Sequence, residues 1–237
     1  MVYLGMDIKS LIKNYKTPPS IVEIIKCGNI LLLTGVSGAG KDSIKYELLK
    51  SKKYGDIISH TTRPPRVNNK VSEKNGKDYH FSDVTSVARM LENKEFIEAK
   101  LVHGTIYGSS LKSLQEALKK GIAVTDIDVQ GVDEYKNIAS SVKSVFILPP
   151  SYEEWIKRLK NRYESEAAYL HDWPKRRETA IKEINMALRS PHYYFVVNDS
   201  LDDVVAEIKK YAEKSDYIYN DEPARVVAHN ILKKLNF

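Results

Sequence analysis

The sequence of 237 residues contains one cysteine, no long apolar run and no large excess of charge of either sign. Because Cys27 is alone, a disulfide within the chain is excluded, and the composition suits a reducing compartment. Apolar runs such as residues 30–33 are far shorter than the ~18 residues that a membrane-spanning helix needs. The first residues also lack the pattern of a secretion signal. We therefore expect a cytoplasmic protein that has no membrane partner.

The charge balance and composition exclude several further classes. Lysine and arginine number 37 against 31 aspartates and glutamates, which leaves a formal net charge of +6. A hydrophobic fraction of 42% is typical of globular proteins and excludes a collagen-like or wholly disordered chain. The mild positive excess permits a phosphate-bearing ligand. Because no extended basic stripe is present, we expect no nucleic-acid partner.

Strand-like and helix-like patterns alternate along most of the chain, which predicts an α/β fold. We expect a central unit over residues 29–213, an N-terminal extension over 1–28 and a C-terminal extension over 214–237. The predicted strands are 29–34, 57–58, 95–102, 105–107, 122–127, 144–148 and 193–197. The predicted helices are 42–51, 83–93, 110–120, 151–162, 174–189 and 201–212, with amphipathic segments at 6–15 and 224–235.

A glycine-rich segment follows the first buried strand and opens a helix. It consists of Gly35, Val36, Ser37, Gly38, Ala39, Gly40 and Lys41. Glycines allow successive backbone N–H groups to surround an anion, and the start of the helix adds the positive end of its dipole. A lysine in this position reaches the β- and γ-phosphates of a nucleotide. The segment therefore predicts a nucleotide-binding phosphate loop rather than an ordinary turn.

One position departs from the usual phosphate loop. The pattern has serine or threonine after the lysine, whereas this chain has Asp42 followed by Ser43. A carboxylate is a good ligand for a hard cation, so Asp42 is a candidate for binding Mg²⁺. Asp42 could instead interact only with the helix dipole, or the substitution could weaken metal binding; the sequence leaves these alternatives open.

Several further motifs occur in a fixed order. They are SHTTRPPR at residues 59–66, KDYHF at 77–81, EFIE at 95–98, YGS at 107–109, DIDVQG at 126–131 and FILPPS at 146–151. Together with the phosphate loop they resemble the guanylate kinase family of P-loop nucleoside monophosphate kinases, over about residues 29–208. The resemblance implies a parallel-sheet kinase core with helices on both faces. It also implies an inserted GMP-binding region at 59–110 and a mobile helical lid at 155–178.

The resemblance also implies an activity and a set of site residues. The activity is phosphorylation of GMP to GDP, and of dGMP to dGDP, by direct in-line transfer from ATP with Mg²⁺. The catalytic residues implied are Lys41, Arg63, Arg158, Arg162 and Arg176. ATP would be bound by Gly35, Ser37, Gly38, Ala39, Gly40, Lys41, Asp42, Ser43 and Asn198. GMP would be bound by Ser59, Arg63, Arg66, Tyr79, Glu98, Tyr107, Ser109, Asp126 and Asp128.

The chemistry of the residues supports these roles. Arginine forks match phosphate oxygens, and a tyrosine hydroxyl can donate to them. The carboxylate of Glu98 can accept two parallel hydrogen bonds from the N1–H and 2-amino groups of guanine, and the hydroxyl of Ser59 can donate to its O6. Phosphoryl transfer needs alignment and charge neutralisation rather than a protein nucleophile. In this interpretation the segment 163–173 is long and irregular enough to form a lid that excludes water.

Each residue has a simpler interpretation when taken alone. Arg63 and Arg66 could be surface residues, and Arg158 and Arg162 could form a solvated helix face. Two further pairs have ordinary structural interpretations: Tyr79 and Tyr107 could be sheet aromatics, and Asp126 and Asp128 could alternate on a strand. The motifs gain weight only together.

Two other functions remain as alternatives. One is a kinase for a different phosphorylated acceptor, another nucleoside monophosphate or a sugar phosphate; it predicts loss of the guanine-reading pair, yet Ser59 and Glu98 are present. The other is a non-catalytic binding module, which the intact phosphate loop argues against. The chain is also longer than the family pattern near residues 67–75 and 163–174. The sequence is compatible with a monomer or a homodimer.

Overall fold

The computed structural model describes residues 2–3, 6–68, 71–102, 104–214 and 216–236. Its contacts divide the chain into a smaller unit, Met1–Asn29 with Lys53–Ala123, and a larger unit, Ile30–Lys52 with Val124–Phe237. The strands are β1 (Val2–Tyr3), β2 (Met6–Asp7), β3 (Asn29–Gly35), β4 (Tyr54–Asp56), β5 (His60–Thr61), β6 (Val67–Asn68), β7 (Val71–Ser72), β8 (His80–Phe81), β9 (Phe96–Val102), β10 (Thr105–Ser110), β11 (Ile122–Asp126), β12 (Lys143–Leu148) and β13 (Tyr194–Val197). The helices are α1 (Ile8–Lys13), α2 (Pro19–Cys27), α3 (Lys41–Leu49), α4 (Val84–Glu92), α5 (Leu111–Leu118), α6 (Val129–Ile138), α7 (Tyr152–Lys160), α8 (Glu166–Arg189), α9 (Leu201–Glu213) and α10 (Glu222–Leu235).

A parallel sheet forms the centre of the larger unit. Its strands follow the order β13-β12-β3-β11. β12 is parallel to both neighbours, and Val145 lies opposite Leu33 on one side and Tyr194 on the other. Every residue of β3 after Asn29 is buried, including the apolar run at 30–33, as expected for a strand covered on both faces. The α/β class predicted from the alternating pattern is confirmed.

Helices cover this sheet with apolar faces. α3 packs against α9, while α10 packs against α8 and against strands β12 and β13. The C-terminal segment is therefore part of the core, since Ile231 and Leu235 of α10 are each 1% exposed. Among the residues that the model describes, no helix is both long and apolar enough to cross a bilayer.

The smaller unit is built on a second sheet, in the order β8-β5-β10-β9. β10 is antiparallel to β5 and to β9. Helices α1 and α4 pack together, and α1 also contacts β9. One buried cluster joins them: Ile8, Val87, Ala88, Leu91, Phe96, Ala99 and Ile106. In the segment near residues 67–75, which is longer than the family pattern, residues 67–68 and 71–72 form the short antiparallel pair β6 and β7.

The prediction of a strand at residues 57–58 is wrong. The strand β4 lies three residues earlier, and Ile57 is buried just beyond its end. Its pattern is hidden by Gly55, where a Cβ atom would lie 2.2 Å from the carbonyl oxygen of Ala117 on α5. The strand therefore needs a glycine for close packing, and a glycine is a weak strand signal in a sequence.

The prediction of an irregular segment at residues 163–173 is also wrong for most of that range, because residues 166–173 are helical. α8 begins at Glu166, and Pro174 lies inside it rather than at its start. Ser165 caps the helix by accepting from the N–H of Ala168. Tyr169 is 4% exposed and its ring packs on Trp173, with centroids 5.7 Å apart. Aromatic packing thus holds a helix through a proline that the pattern treats as a boundary.

The remaining predicted elements are present with shifted ends. β10 continues to Ser110 rather than ending at Tyr107, and α7 ends at Lys160. Asp126 is the last residue of β11, whereas Asp128 lies beyond the strand and caps α6. The two carboxylates therefore do not alternate along one strand.

Candidate functional site

The phosphate loop lies between β3 and α3 in the larger unit. Gly40 has a φ of 97°, in the left-handed region, and a Cβ atom there would lie 2.2 Å from Nδ2 of Asn198. The same Nδ2 donates a 2.8 Å hydrogen bond to the carbonyl oxygen of Ala39. The sequence-predicted residue Asn198 thus lies directly against the loop backbone and requires a glycine opposite it.

Lys41 is turned into the loop. Its Nζ donates to the carbonyl oxygens of Gly35 at 2.6 Å and Val36 at 3.2 Å. Burial lowers the pKa of Lys41, while the nearby carboxylates of Glu183, Asp126 and Asp42 act to raise it. A cation placed among glycine N–H groups at a helix start forms a favourable environment for phosphate.

A cavity of about 210 Å³ opens over this loop. Asp42 lies on its wall and Ser43 is not among the lining residues, although both side chains are exposed on α3. The candidate ligand Asp42 therefore faces the cavity. A carboxylate beside bound phosphates is a donor set that fits Mg²⁺. The lining residues are Gly35, Ser37, Gly38, Gly40, Lys41, Asp42, Arg162, Thr179 and Glu183.

The three predicted lid arginines have different positions. Nη1 of Arg176 donates to Oγ of Ser37 in the loop at 2.9 Å, and Arg162 lies on the cavity wall. Arg158 instead donates to the carbonyl oxygen of Asn198 at 3.0 Å, and its Nε lies 3.0 Å from Glu154. The structure therefore brings Arg162 and Arg176 to the loop and places Arg158 at the end of β13.

The phosphate-binding residues predicted for the acceptor lie in the smaller unit around Arg63. Its Nη1 and Nη2 donate to the two carboxylate oxygens of Glu73, at 2.8 and 3.0 Å. The guanidinium lies 5.3 Å from the ring centre of Tyr79, and Tyr107 acts with Glu73 to raise the pKa of Arg63. The rings of Tyr79 and Tyr107 are 6.1 Å apart. Two tyrosines and a guanidinium fork thus converge, with a carboxylate in the fork.

Arg66 contributes through its backbone in this structure. Its side chain is exposed, and its N–H donates to Oε2 of Glu73 at 2.7 Å. The Arg63 guanidinium, through its hydrogen bonds, lowers the pKa of the Glu73 carboxyl below its ordinary value. Sequence analysis did not single out Glu73, although it lies in the longer segment between Arg66 and Tyr79.

The residues predicted to read guanine lie on and near the sheet of the smaller unit. Glu98 on β9 lies opposite Ser109 on β10, and Oε1 of Glu98 accepts a 3.0 Å hydrogen bond from the N–H of Ser109. Glu98 is 7% exposed and Ser109 is 1% exposed. Ser59 is half-buried, and its carbonyl oxygen accepts from the N–H of His80. A buried carboxylate with one oxygen fixed by the backbone is a rigid acceptor.

Comparisons with known proteins identify relatives of this chain. A model of the guanylate kinase family matches residues 28–215. A guanylate kinase of Mannheimia succiniciproducens is 35% identical over 218 residues, which cover 87% of this chain and 99% of that relative. The chain belongs to the guanylate kinase family. Another guanylate kinase, of Haemophilus influenzae, is 36% identical and covers 77% of this chain and 86% of its own length.

A solved structure supports the fold of this guanylate kinase family member. The crystal structure of guanylate kinase from Anaplasma phagocytophilum matches it with a TM-score of 0.59 and 28% sequence identity. The match covers 78% of this chain and 85% of that chain. The resemblance drawn from the motifs, and the P-loop kinase fold that it implied, are confirmed.

Lys45 is a residue of this guanylate kinase that sequence analysis missed. Its Nζ lies 2.7 Å from Oδ1 of Asp126. Burial acts to raise the pKa of Asp126, but Lys45 and Lys41 lower it below its ordinary value overall. Asp128 has a different role, since it accepts from the N–H of Gly131 as a helix cap. The available signal was the spacing of Lys41 and Lys45, one turn apart on α3.

Glu183 is a second residue missed by the sequence analysis. It lies on the wall of the cavity over the loop, and burial raises its pKa to about 7, which Asp128 also favours and Lys41 opposes. Glu183 follows Arg176 by two helical turns on α8, so both side chains lie on one face. That spacing could have been read from the sequence only if the helix bounds were known.

Proposed function

We propose that this guanylate kinase transfers the γ-phosphoryl group of ATP to the phosphate of GMP, forming ADP and GDP. The observation that carries the proposal is the buried carboxylate of Glu98 in the same unit as the fork of Arg63. The carboxylate of Glu98 suits the hydrogen-bond donors on the guanine edge, and the guanidinium of Arg63 suits a phosphate. The phosphate loop of the larger unit supplies the donor site.

The donor site is supported by the loop geometry. Lys41 and the loop N–H groups would hold the β- and γ-phosphates, and Gly40 and Asn198 fix the loop shape. Arg176, which contacts Ser37, and Arg162, on the cavity wall, are the cations that would neutralise the transferred group. Arg158 would act more indirectly, through its bond to Asn198.

Mg²⁺ would be held with ATP by phosphate oxygens and the carboxylate of Asp42, which faces the cavity. The ion would supply charge neutralisation at the phosphates. Asp126 is available as a further carboxylate in the larger unit and is held by Lys45. Asp128 is proposed as a GMP-binding residue only from the family resemblance.

The acceptor site would read guanine by hydrogen bonding. Oε1 of Glu98 already accepts from Ser109 N–H, which fixes the carboxylate for the N1–H and 2-amino donors of guanine. Adenine has an acceptor at N1, so its binding would leave two acceptors facing each other, a costly arrangement in a buried site. Ser59 would donate to O6. Arg63, Arg66, Tyr79 and Tyr107 would bind the monophosphate.

The transfer requires no covalent enzyme intermediate. An oxygen of the GMP phosphate would attack in line, while the arginines and Lys41 neutralise charge on the transferred group. Because neither base nor phosphate binding depends on the 2′-hydroxyl in this scheme, dGMP is also proposed as a substrate. We further propose a cytoplasmic location and a monomeric or homodimeric state.

A coupled assay of ADP release tests the proposal. ATP and Mg²⁺ are supplied with GMP, dGMP, IMP, AMP, CMP or UMP in turn. We expect turnover with GMP and dGMP and a kcat/KM for AMP that is at least about 100-fold lower. The reason is that the buried carboxylate of Glu98 would face the N1 acceptor of adenine. Well-folded protein that shows no turnover with either guanine nucleotide would contradict the proposed function.

A further inference from the structure

The strand that carries Glu98 has an irregularity directly before this residue. Along β9 and β10, Glu98 pairs with Ser109, but the next pair joins Phe96 with Ser110. Two residues of β9, Phe96 and Ile97, therefore face one residue of β10, which defines a β-bulge. Bulges bend the strand and redirect neighbouring side chains, and they occur often beside active sites.

The N-terminal segment binds this bulge through two hydroxyl groups. The hydroxyl of Tyr15 donates to the carbonyl oxygen of Phe96 at 2.5 Å, and Oγ1 of Thr17 donates to the carbonyl oxygen of Ile97 at 2.7 Å. β9 is the outer strand of its sheet. Its free edge would otherwise present these carbonyls without strand partners. The bulge is thus held from one side by β10 and from the other by residues far earlier in the chain.

The donor groups are themselves anchored. Helix α1 packs against α4 and β9, and its Ile8 is buried in the same cluster as Phe96. The Tyr15 side chain also packs against this cluster, and Nζ of Lys94 lies 5.0 Å from its ring centre. Burial raises the pKa of Tyr15 to about 12, so its hydroxyl keeps its proton for donation.

We propose that Tyr15 and Thr17 are positioning residues that set the orientation of Glu98, and hence guanine recognition, by fixing the bulge at Phe96 and Ile97. The inference rests on the proposed function of Glu98. It gives the N-terminal extension a role in substrate selection. Neither hydroxyl touches the substrate; each acts through the strand.

The mechanism follows from the geometry of a strand. The Glu98 side chain leaves the backbone directly after the bulge, so a change in the bulge rotates the carboxylate away from Ser109 N–H. Two parallel hydrogen bonds to guanine require the carboxylate plane to be fixed. Loss of the two hydroxyls should therefore weaken binding of GMP more than that of IMP, which lacks the 2-amino donor, and should leave ATP binding unchanged.

The test uses the full chain and small changes that keep the packing. Tyr15→Phe and Thr17→Val each remove a hydroxyl, and the double variant removes both. Thr17→Ser retains a hydroxyl and serves as the matched control. KM for GMP and for ATP, and the ratio of kcat/KM for GMP to that for IMP, are measured. Hydrogen exchange at the Ser109 amide gives a readout independent of any substrate.

The double variant is expected to raise KM for GMP by about five-fold or more and to lower the GMP-to-IMP ratio, with KM for ATP unchanged. The Ser109 amide should exchange about five-fold or more faster, and Thr17→Ser should match the wild type. Unchanged exchange and an unchanged KM for GMP would overturn the proposal, as would equal increases in both KM values. If wild-type protein does not turn over GMP, the proposed function fails, and the exchange measurement alone decides whether the hydroxyls fix the strand.

Discussion

At the scale of single residues, the site is defined by charged side chains that are largely buried. Arg63 is 10% exposed at its side chain and Glu98 is 7% exposed as a residue. A buried charge is costly unless it is paired and hydrogen bonded. Glu73 provides this partner for Arg63, and the Ser109 N–H partly provides it for Glu98.

Replacing Glu98 with glutamine should lower kcat/KM for GMP by about 100-fold or more, because an amide donor would face the N1–H or 2-amino group of guanine. The dissociation constant of ATP should stay unchanged. Steady-state kinetics and an ATP titration check both values. Glu92→Gln, which makes the same change of charge at an exposed position on α4, is the control. Equal loss of GMP turnover and ATP affinity would show that Glu98 is structural.

Asp42→Ala should raise the Mg²⁺ concentration needed for half-maximal activity several-fold, because it removes the carboxylate facing the loop cavity. Asp202→Ala, the same substitution at an exposed position in the first turn of α9, should leave the Mg²⁺ titration unchanged. The titration is followed by initial rate at fixed ATP. An identical titration for wild type and Asp42→Ala would mean that Asp42 interacts only with the helix dipole.

The ion pair of Arg63 and Glu73 predicts a dependence of stability on pH. Arg63 lowers the folded-state pKa of Glu73 below the ordinary value of 4.5. A carboxyl with a lowered pKa stabilises the fold above its unfolded value, and this contribution is lost as pH falls through the folded value. Wild type should therefore melt at a higher temperature than Glu73→Gln at pH 7, and the difference should shrink below about pH 4.5. A difference in Tm that is constant from pH 7 to pH 3.5 would contradict this.

Residues in contiguous motifs were the predictable part of the site. The phosphate loop and the pair Arg63 and Arg66 could be found because neighbouring residues carry one function. Lys45 and Glu73 could not, since their importance comes from partners across the fold or in a segment of unusual length. The sequence also left open whether Asp42 binds Mg²⁺ or interacts only with the helix dipole, because a carboxylate at the start of a helix suits both roles.

At the scale of elements, α8 shows how packing overrides a local signal. Proline in a helix interior removes one hydrogen bond and clashes with the preceding turn. The sequence therefore predicted a helix beginning at Pro174, yet the helix starts at Glu166. The contacts of Tyr169 and Trp173 compensate for the local cost. Similarly, β4 was missed because Gly55 is required by its packing on α5.

Pro174→Ala separates the two descriptions of this helix. If α8 continues through residue 174, alanine restores a backbone N–H and should stabilise the protein by about 1–3 kcal/mol, seen as a higher Tm. Pro19→Ala is the control: Pro19 lies at the start of α2, where proline is tolerated, and its replacement should give no such increase. A lower or unchanged Tm for Pro174→Ala would favour a helix that begins at the proline.

At the scale of the whole molecule, each unit has its own core, and each terminal segment belongs to one. Ile8 is buried against the sheet of the smaller unit, and Ile231 is buried in the larger unit. The alternation of strands and helices predicted the fold class because burial on a parallel sheet imposes that pattern. Where the terminal segments pack could not be predicted, since an amphipathic helix does not specify its partner.

Ile231→Ala tests the place of α10 in the core. Removing a buried side chain that is 1% exposed should cost about 2–5 kcal/mol of unfolding free energy. Val226→Ala on the same helix removes a side chain that is 49% exposed and should cost far less. Chemical denaturation of both variants gives the comparison. Equal, small losses would mean that α10 does not contribute to the stability of the larger unit.

The most direct test of the central account is identification of the products. ATP, Mg²⁺ and GMP are incubated with the protein, and the nucleotides are separated and quantified by chromatography. Transfer of a phosphoryl group to GMP predicts that GDP and ADP form in equal amounts, and that Glu98→Gln suppresses both. Release of ADP and inorganic phosphate without GDP, or GDP formation that is unaffected by Glu98→Gln, would contradict the account.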